Sequence, residues 1–499
     1  MGTSINLYSS NQVRELDFIA IEDFGIQGIV LMKRAAQATF KALLKSYPAT
    51  KTITVVCGTG NNGGDGFIIA ILALEAKLKV NLIQLGNEDS IKGDALSARN
   101  AYLKTGAKSL AFDKKLLEVD VVIDAIFGTG LDRDVKGDWA DAITAINHSP
   151  ARIVSVDIPS GLNADTGRVL GVAIQADLCI TFIGMKCGLL TGQARDYTGK
   201  LEFDSLDMPA EVYQQLSDPV NKSLIPESII QQTLHPRLYY SNKGNFGHIL
   251  FIGGAAGMSG AIRLAAEAGL RTGAGLVTVA THPSHADSLN LNRPELMVNP
   301  VQQSDQLKPL LEKASVIAIG PGLGKSKWAQ GLLALVLTSN KPKVLDADAL
   351  NLLALQSDIN LANNNWVLTP HPAEAARLLN IETALIEKNR YQSIADLQEK
   401  YQGVCVLKGA GSMVSDGVYI KVCDAGNPGM ASGGMGDVLT GVIAALVAQG
   451  LSLFDAASAG VYVHAKAADF AAKKGERGLL ASDLFPYLRM QVNNVTSDD

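Results

Sequence analysis

Two glycine-rich stretches carry the side chains whose types and spacing could do chemistry. In the first, CGTGNNGGDG (57–66), Asn61, Asn62 and Asp65 sit inside a glycine turn that follows an apolar run. Gly58, Gly60 and Gly63 satisfy the spacing of a dinucleotide fingerprint, but that fold also wants an acidic residue ending the second strand. Here Glu88 and Asp89 fall beyond the break at Gly86. A phosphate cradle needs bare N–H groups. Carboxamide and carboxylate oxygens instead suit a hydroxylated substrate or a monovalent cation. Two more apolar runs end in the same way. DAIFGTGLDR places Asp124 before a loop, from Gly128, that holds Asp132 and Arg133, and VDIPSGLNADTG carries Asp157 and Ser160. Any one of these Asp residues could be a helix cap or turn former. Three polar, glycine-bearing strand ends together point to one crevice. Lys186, after a further strand, is either a solvated lysine or a phosphate or substrate contact.

The second stretch is NPGMASGGMGDVLTGVIAAL (427–446), in which glycines lead into Asp437 at the start of an apolar helix. Successive N–H groups at a helix start attract anions, and an Asp on the rim can take a proton from a hydroxyl. A capping Asp would not require Gly433, Gly434 and Gly436 as well. This is the equipment of phosphoryl transfer to an alcohol. VCVLKGAGSMVSDG (404–417) adds Lys408 and a glycine turn suited to a nucleotide. His371 and Glu374 lie at another strand end, where the His is either a cap or a functional group. Asp346 and Asp348 are metal-shell residues or turn carboxylates. His282 and His285 read as structural. IGPGLGKS is not a P-loop, because the spacing back from Lys325 requires glycine where Ile319 stands.

Strand ends need strands to end. Apolar, Val/Ile-rich runs at 51–58, 119–128, 152–161, 247–254 and 315–322 alternate with helical patterns. Strands apolar on both faces imply parallel sheets covered by helices, with ligands outside the carboxyl ends. The 499 residues exceed one core. The polar, Pro-containing stretch 218–226 reads as a linker between domains 1–217 and 227–499. Net charge is −5 with no Lys/Arg run, which points away from nucleic acid and anionic membranes. Five scattered cysteines without a CxxC pair point to a reducing compartment rather than disulfides or zinc. No secretory pattern opens the chain and no apolar run reaches membrane length, so a cytoplasmic protein is expected.

The motifs GTGNNGGDG, DAIFGTGLDR and VDIPSGLNADTG make residues 11–208 resemble the YjeF N-terminal family, the NAD(P)H-hydrate epimerases. KGNFGH, GAIRLAAEAGLRTGAGLV, IGPGLG, LDADALNLL, LTPHPAE, VLKGAG and NPGMASGGMGDVLTG make residues 228–490 resemble the ribokinase-like NAD(P)H-hydrate dehydratases. The resemblance implies an α/β protein of two three-layer α/β/α domains, a Rossmann-like epimerase domain followed by a ribokinase-like one. It implies substrate contacts from Asn61, Asn62, Gly63, Gly64 and Asp65. A second set is Gly128, Thr129, Gly130, Leu131, Asp132, Arg133 and Asp134. Asp157 would be catalytic, and Asn62, Asp124 and Ser160 would hold potassium. In the second domain Ala261, Gly322, His371 or its neighbour Pro372, and the catalytic Asp437 would meet the hydrate. Lys408, Gly409, Ala410, Gly411, Ser412 and Gly436 would meet ADP or ATP, used with Mg2+. A homo-oligomer is expected. The family often carries Arg in the helix after NNGGDG, where this chain has Ala70, Ile71 and Leu72, and His before KG, where it has Asn242. The competing readings are a small-molecule kinase with an N-terminal ligand-sensing domain, and an NAD-dependent dehydrogenase resting on the glycine fingerprint.

Overall fold

The structure, a computed structural model, describes residues 5–356 and 364–494; the outermost residues of both expected domains lie outside this range. Asn6–Lys222 forms one compact unit, and the chain from Ser223 forms the other. Among the described residues no helix is long and apolar enough to cross a membrane. All five cysteines are buried thiols.

The first unit is built on six parallel strands in the order Lys79–Gln84, Thr52–Cys57, Val121–Ala125, Arg152–Val156, Leu178–Phe182 and Lys200–Asp204. Side chains alternate between faces along a strand, and both faces are covered. Val55 and Ile123 join a core with helices Ser10–Glu22, Gly28–Ser46, Asn61–Glu75 and Gly93–Lys104. Val56 and Val122 join another with helix Asp138–Asn147. This is the three-layer arrangement that doubly apolar strands require. The strand order reverses between Thr52–Cys57 and Val121–Ala125, so a crevice opens where their carboxyl ends diverge.

Among the described residues the second unit holds a sheet of ten strands. Seven are parallel, in the order Met297–Pro300, Leu276–Thr281, His248–Ile252, Val316–Ile319, Lys343–Leu345, Trp366–Leu368 and Val404–Leu407. Met413–Ser415 and Ile420–Val422 continue it antiparallel, and Lys222–Leu224 forms its edge. That last strand lies inside the stretch read as linker; three residues are too few to show an alternating pattern. Ile249, Phe251, Val316 and Ala318 face a core shared with helices Ser259–Thr272, Met435–Ala448 and Leu453–Ala472. Leu250, Ile252, Ile317 and Ile319 are buried on the opposite face.

Candidate functional site

Chain must approach chain closely to form the first crevice, and glycine permits it. A Cβ on Gly58 would stand 2.0 Å from the Ile126 carbonyl oxygen, and one on Gly63 would stand 2.1 Å from that of Gly58. The helix Asn61–Glu75 therefore begins directly at the strand end, capped by Gly60. Its first turn delivers Asn61, Asn62 and Asp65 to a cavity of about 580 Å³, which Gly128, Thr129, Gly130, Leu131, Asp132, Arg133 and Asp157 also line. Gly63 and Gly64 are buried behind the loop, where a Cβ on Gly64 would meet Met32. Asp134 is exposed outside the lining.

Asn62, Asp124 and Ser160 meet around the backbone of Phe127. Asn62 Nδ2 donates to the Phe127 carbonyl at 2.9 Å, and Phe127 N donates to Ser160 Oγ at 2.8 Å. Ser160 Oγ donates to Asp124 Oδ1 at 2.5 Å, while Ser160 N and Ser155 Oγ donate to Asp124 Oδ2, each at 2.8 Å. Asp124 is fully buried, and burial raises its carboxyl above the usual range against the lowering effect of these donors. Asn62 Oδ1 is buried without a hydrogen-bond partner among the described residues.

Asp157 follows strand Arg152–Val156 with φ of +67°, a left-handed conformation that turns the chain sharply at the strand end. The Lys186 ammonium reaches its Oδ1, which also accepts from Phe182 N at 3.2 Å and Thr181 Oγ1 at 3.3 Å. Lys186 is 1% exposed and also donates to the Phe182 carbonyl at 2.8 Å. It is thus buried rather than solvated, and it lines the cavity with its amine on Asp157.

Sequence reasoning missed Asp17, which lines the same cavity from helix Ser10–Glu22. Burial, with Asp157 adding, pushes its carboxyl up to about 6 against the Lys186 charge. Asp65 is raised well above the ordinary value, first by burial and then by Asp157 and Asp17. The signal was present. Val13, Asp17 and Ala20 fall on one helical stripe, and an Asp interrupts its apolar run.

In the second unit, Gly434 takes φ of +91° and caps helix Met435–Ala448, whose third residue is Asp437. A Cβ on Gly436 would lie 3.1 Å from Lys408 Nζ and 3.6 Å from Asp346 Oδ2. Burial, followed by Asp346, raises Asp437 to about 7, with Lys408 opposing. Asp346 is buried and shared: Lys408 Nζ donates to Oδ1 at 2.7 Å, Thr369 Oγ1 to Oδ1 at 2.8 Å, and Thr440 Oγ1 to Oδ2 at 2.8 Å. Asp348 Oδ2 accepts from Gly324 N at 2.8 Å. Lys408 also lies 3.8 Å from Glu374. His371 caps helix Pro372–Leu379: its Nδ1 accepts from Ala373 N at 3.1 Å, and its own N donates to Glu374 Oε2 at 2.8 Å. Burial and then Lys408 lower the His371 pKa, so its neutral form is favoured.

Gly322 and Ala261 are neighbours, since a Cβ on Gly322 would stand 3.4 Å from that of Ala261. The Lys408–Ser412 turn closes on itself, with Gly409 N donating to Ser412 Oγ at 3.2 Å and Ser412 Oγ to the Gly409 carbonyl at 2.9 Å. Arg390, 1% exposed, supports that turn from below by donating to the Leu407 and Lys408 carbonyls at 3.3 and 3.1 Å. His282 and His285 make local contacts, His282 with Ser284 and His285 with Thr281. Among the described residues no group of three or more His, Cys, Asp or Glu is arranged to hold a metal ion.

Comparison with known proteins matches both halves. Residues 28–188 fit the family model described as YjeF-related protein N-terminus, and residues 249–489 the model of NAD(P)H-hydrate dehydratase. A bifunctional NAD(P)H-hydrate repair enzyme of Coxiella burnetii is 49% identical over 490 residues, covering 98% of this chain and 99% of that one. One of Escherichia coli is 44% identical, covering 99% and 95%. The solved structure of a ribokinase-like superfamily protein from Enterococcus faecalis has a TM-score of 0.51 and 30% identity, covering 55% of this chain and 96% of that one.

Proposed function

The chain belongs to the bifunctional NAD(P)H-hydrate repair enzymes, and from that premise we propose how its two sites divide the work. The enzyme interconverts the R and S forms of NAD(P)H hydrate and dehydrates the S form back to NAD(P)H at the expense of ADP or ATP. The observation that carries the division is that Asn61, Asp132, Arg133 and Asp157, from three separate strand ends, line one cavity in the first unit.

The hydrate bears a hydroxyl on a carbon bonded to the ring nitrogen. Epimerisation there needs reversible C–O or ring cleavage, aided by the nitrogen lone pair and a positioned acid–base group. Asp157 is that group. Its Oδ1 is held by Lys186, Thr181 and Phe182 N, so the carboxylate is oriented before substrate arrives. The first helical turn Asn61–Asp65 and the loop Gly128–Arg133 hold the dinucleotide. Potassium fits beside them: the buried Asn62 Oδ1 lacks a donor among the described residues, and Asp124, Ser160 and the Phe127 carbonyl supply further oxygens of the kind a hard cation takes. When bound, the cation would supply positive charge to this crevice.

In the second unit Asp437 removes the proton of the hydrate hydroxyl as that oxygen takes a phosphoryl group. Hydroxide is a poor leaving group and phosphate a good one. Nitrogen push then expels phosphate, and loss of a ring proton restores the dihydronicotinamide. The helix-start N–H groups of Gly434–Asp437 stabilise the transferring group. Ala261 and Gly322 hold the hydrate, and Lys408–Ser412 with Gly436 hold the adenine nucleotide. Mg2+ fits less readily among protein groups alone, because Asp346 is already engaged by Lys408, Thr369 and Thr440. The nucleotide phosphates would provide most of the ligands for that ion, as Mg2+ sites often do.

The test is to incubate the purified chain with mixed hydrate epimers and ADP or ATP, following dihydronicotinamide absorbance and phosphate. Repair returns NADH with inorganic phosphate in equal amounts. A ribokinase-like kinase would instead accumulate a stable phosphorylated product.

A further inference from the structure

Inversion by C–O cleavage at the hydroxyl-bearing carbon calls for proton transfer on both faces of the ring, and a second carboxyl would share that work with Asp157. By the C–O cleavage route the oxygen leaves from one face of the ring and returns on the other, so one group should give a proton to the departing hydroxyl and another should take one from the entering water. We propose that Asp17 is a second catalytic residue of the epimerase, working across the hydrate from Asp157. This rests on the reading of the first cavity as the epimerase site.

The two carboxyls enter the cavity from different elements, Asp17 from helix Ser10–Glu22 and Asp157 from the end of strand Arg152–Val156. Their hydrogen bonding differs, and two carboxyls in unlike surroundings can divide acid and base roles. Three donors, one of them the Lys186 ammonium, converge on Asp157 Oδ1. No hydrogen bond or ion pair joins Asp17 to another described residue, and burial holds its carboxyl near 6, where a proton is both retained and exchangeable. The other charged groups facing the cavity are Asp65 and Lys186, with Arg14, Asp94, Asp132 and Arg133 also in its lining.

The helix is also held in place. Ser9 and Gln12 form a capping box, and Val13, Leu16 and Ala20 are buried against the core. Ser10 N donates to Asp165 Oδ1 at 2.6 Å and Ser10 Oγ to Oδ2 at 2.8 Å. Asp165 belongs to the same VDIPSGLNADTG motif that carries Asp157. One motif therefore provides the first carboxylate and anchors the helix carrying the second. A carboxyl in an apolar stripe, without a hydrogen-bond partner, lowers stability. A residue there for packing alone would be apolar.

The step balances. The C–O bond breaks with its electron pair going to oxygen, which takes the Asp17 proton and departs as water, while the nitrogen lone pair forms a C=N bond. Water adds to the opposite face, and its proton passes to Asp157. Asp17 is left as carboxylate and Asp157 as acid. The reverse turnover, or proton exchange with solvent, restores the starting state.

The experiment uses the full chain with the R hydrate and no nucleotide, following the R/S ratio by chromatography across pH. Asp17→Asn should lower kcat by about 100-fold, the scale of general acid catalysis, with KM within about threefold and the pH-profile limb near 6 abolished. Dehydration of the S form should continue at the wild-type rate. Asp17→Glu should restore part of the rate, with the limb displaced. Asp17→Asn within about threefold of wild type, with an unchanged profile, would overturn the proposal. If Asp17→Asn unfolds the first unit, Asp17→Glu decides: a displaced limb supports the role and an undisplaced one refutes it. Wild-type protein that does not epimerise would instead remove the underlying reading of the cavity.

Discussion

Lys408 aims its ammonium at Asp346, 2.7 Å from Oδ1, although it begins the turn assigned to the nucleotide. Its charge lies among carboxylates. Burial and Asp346 hold Asp437 near 7, and Lys408 works against both. Dehydration should therefore rise with pH as Asp437 loses its proton, with a midpoint near 7 in the wild type. Removing the cation in Lys408→Met should move that midpoint upward by about one unit, the low end of what a neighbouring opposite charge supplies. The measurement is the pH dependence of dehydration of the S form at saturating nucleotide. A midpoint that stays or moves down would contradict this electrostatic role.

Lys186 and Asp157 form an interior ion pair, the lysine 1% and the aspartate 17% exposed at the side chain. Lys186→Met leaves a carboxylate without its ammonium and should destabilise the first unit by about 3–5 kcal/mol. Adding Asp157→Asn removes the stranded charge, so the double variant should be more stable than Lys186→Met alone. Denaturant unfolding of the three variants checks this, and additive losses would argue against coupling.

Gly441 lets helix Met435–Ala448 lie directly on helix Ser259–Thr272, since a Cβ there would stand 2.0 Å from the Ala265 carbonyl oxygen. Backbone cannot yield as a side-chain end can. Gly441→Ala should cost about 1–3 kcal/mol by overpacking and displace Asp437, lowering dehydration while epimerisation continues. Unfolding and the two separate activities read the outcome.

Asn62 holds the Phe127 carbonyl through Nδ2 and leaves Oδ1 buried without a partner among the described residues. If that oxygen faces potassium, exchanging potassium for a bulky organic cation should slow wild-type epimerisation. Asn62→Ala should be slow in both salts. A variant that keeps the full potassium response would exclude Asn62 as a ligand.

The strand ends bearing Asp124 and Asp157, the helix start bearing Asp437 and the two glycine turns could be read from the chain because each pairs an apolar run with a local change in residue type. Doubly apolar strands likewise declared the three-layer sheets. What the sequence concealed were partnerships across long separations. Ser10 and Asp165 are 155 positions apart, Lys408 and Asp346 are 62 apart, and nothing local marks either pair. Asp17 was legible only as a polar break in a helical stripe, a pattern that solvent-facing residues also produce. The edge strand Lys222–Leu224 escaped because a three-residue strand carries no period, and His371 resolved into a cap only when Glu374 and Ala373 were seen to bond it.

The central claim is that Asp157 and Asp437 serve different steps on one substrate. Asn tolerates the left-handed backbone at 157, so Asp157→Asn tests chemistry with little added strain. Given mixed hydrate epimers and nucleotide, wild-type protein should convert both epimers to NADH. Asp157→Asn should consume the S form rapidly and then stall, and Asp437→Asn should equilibrate the epimers while forming no NADH. Rapid clearance of both epimers by Asp157→Asn, or NADH formation by Asp437→Asn at the wild-type rate, would contradict the account.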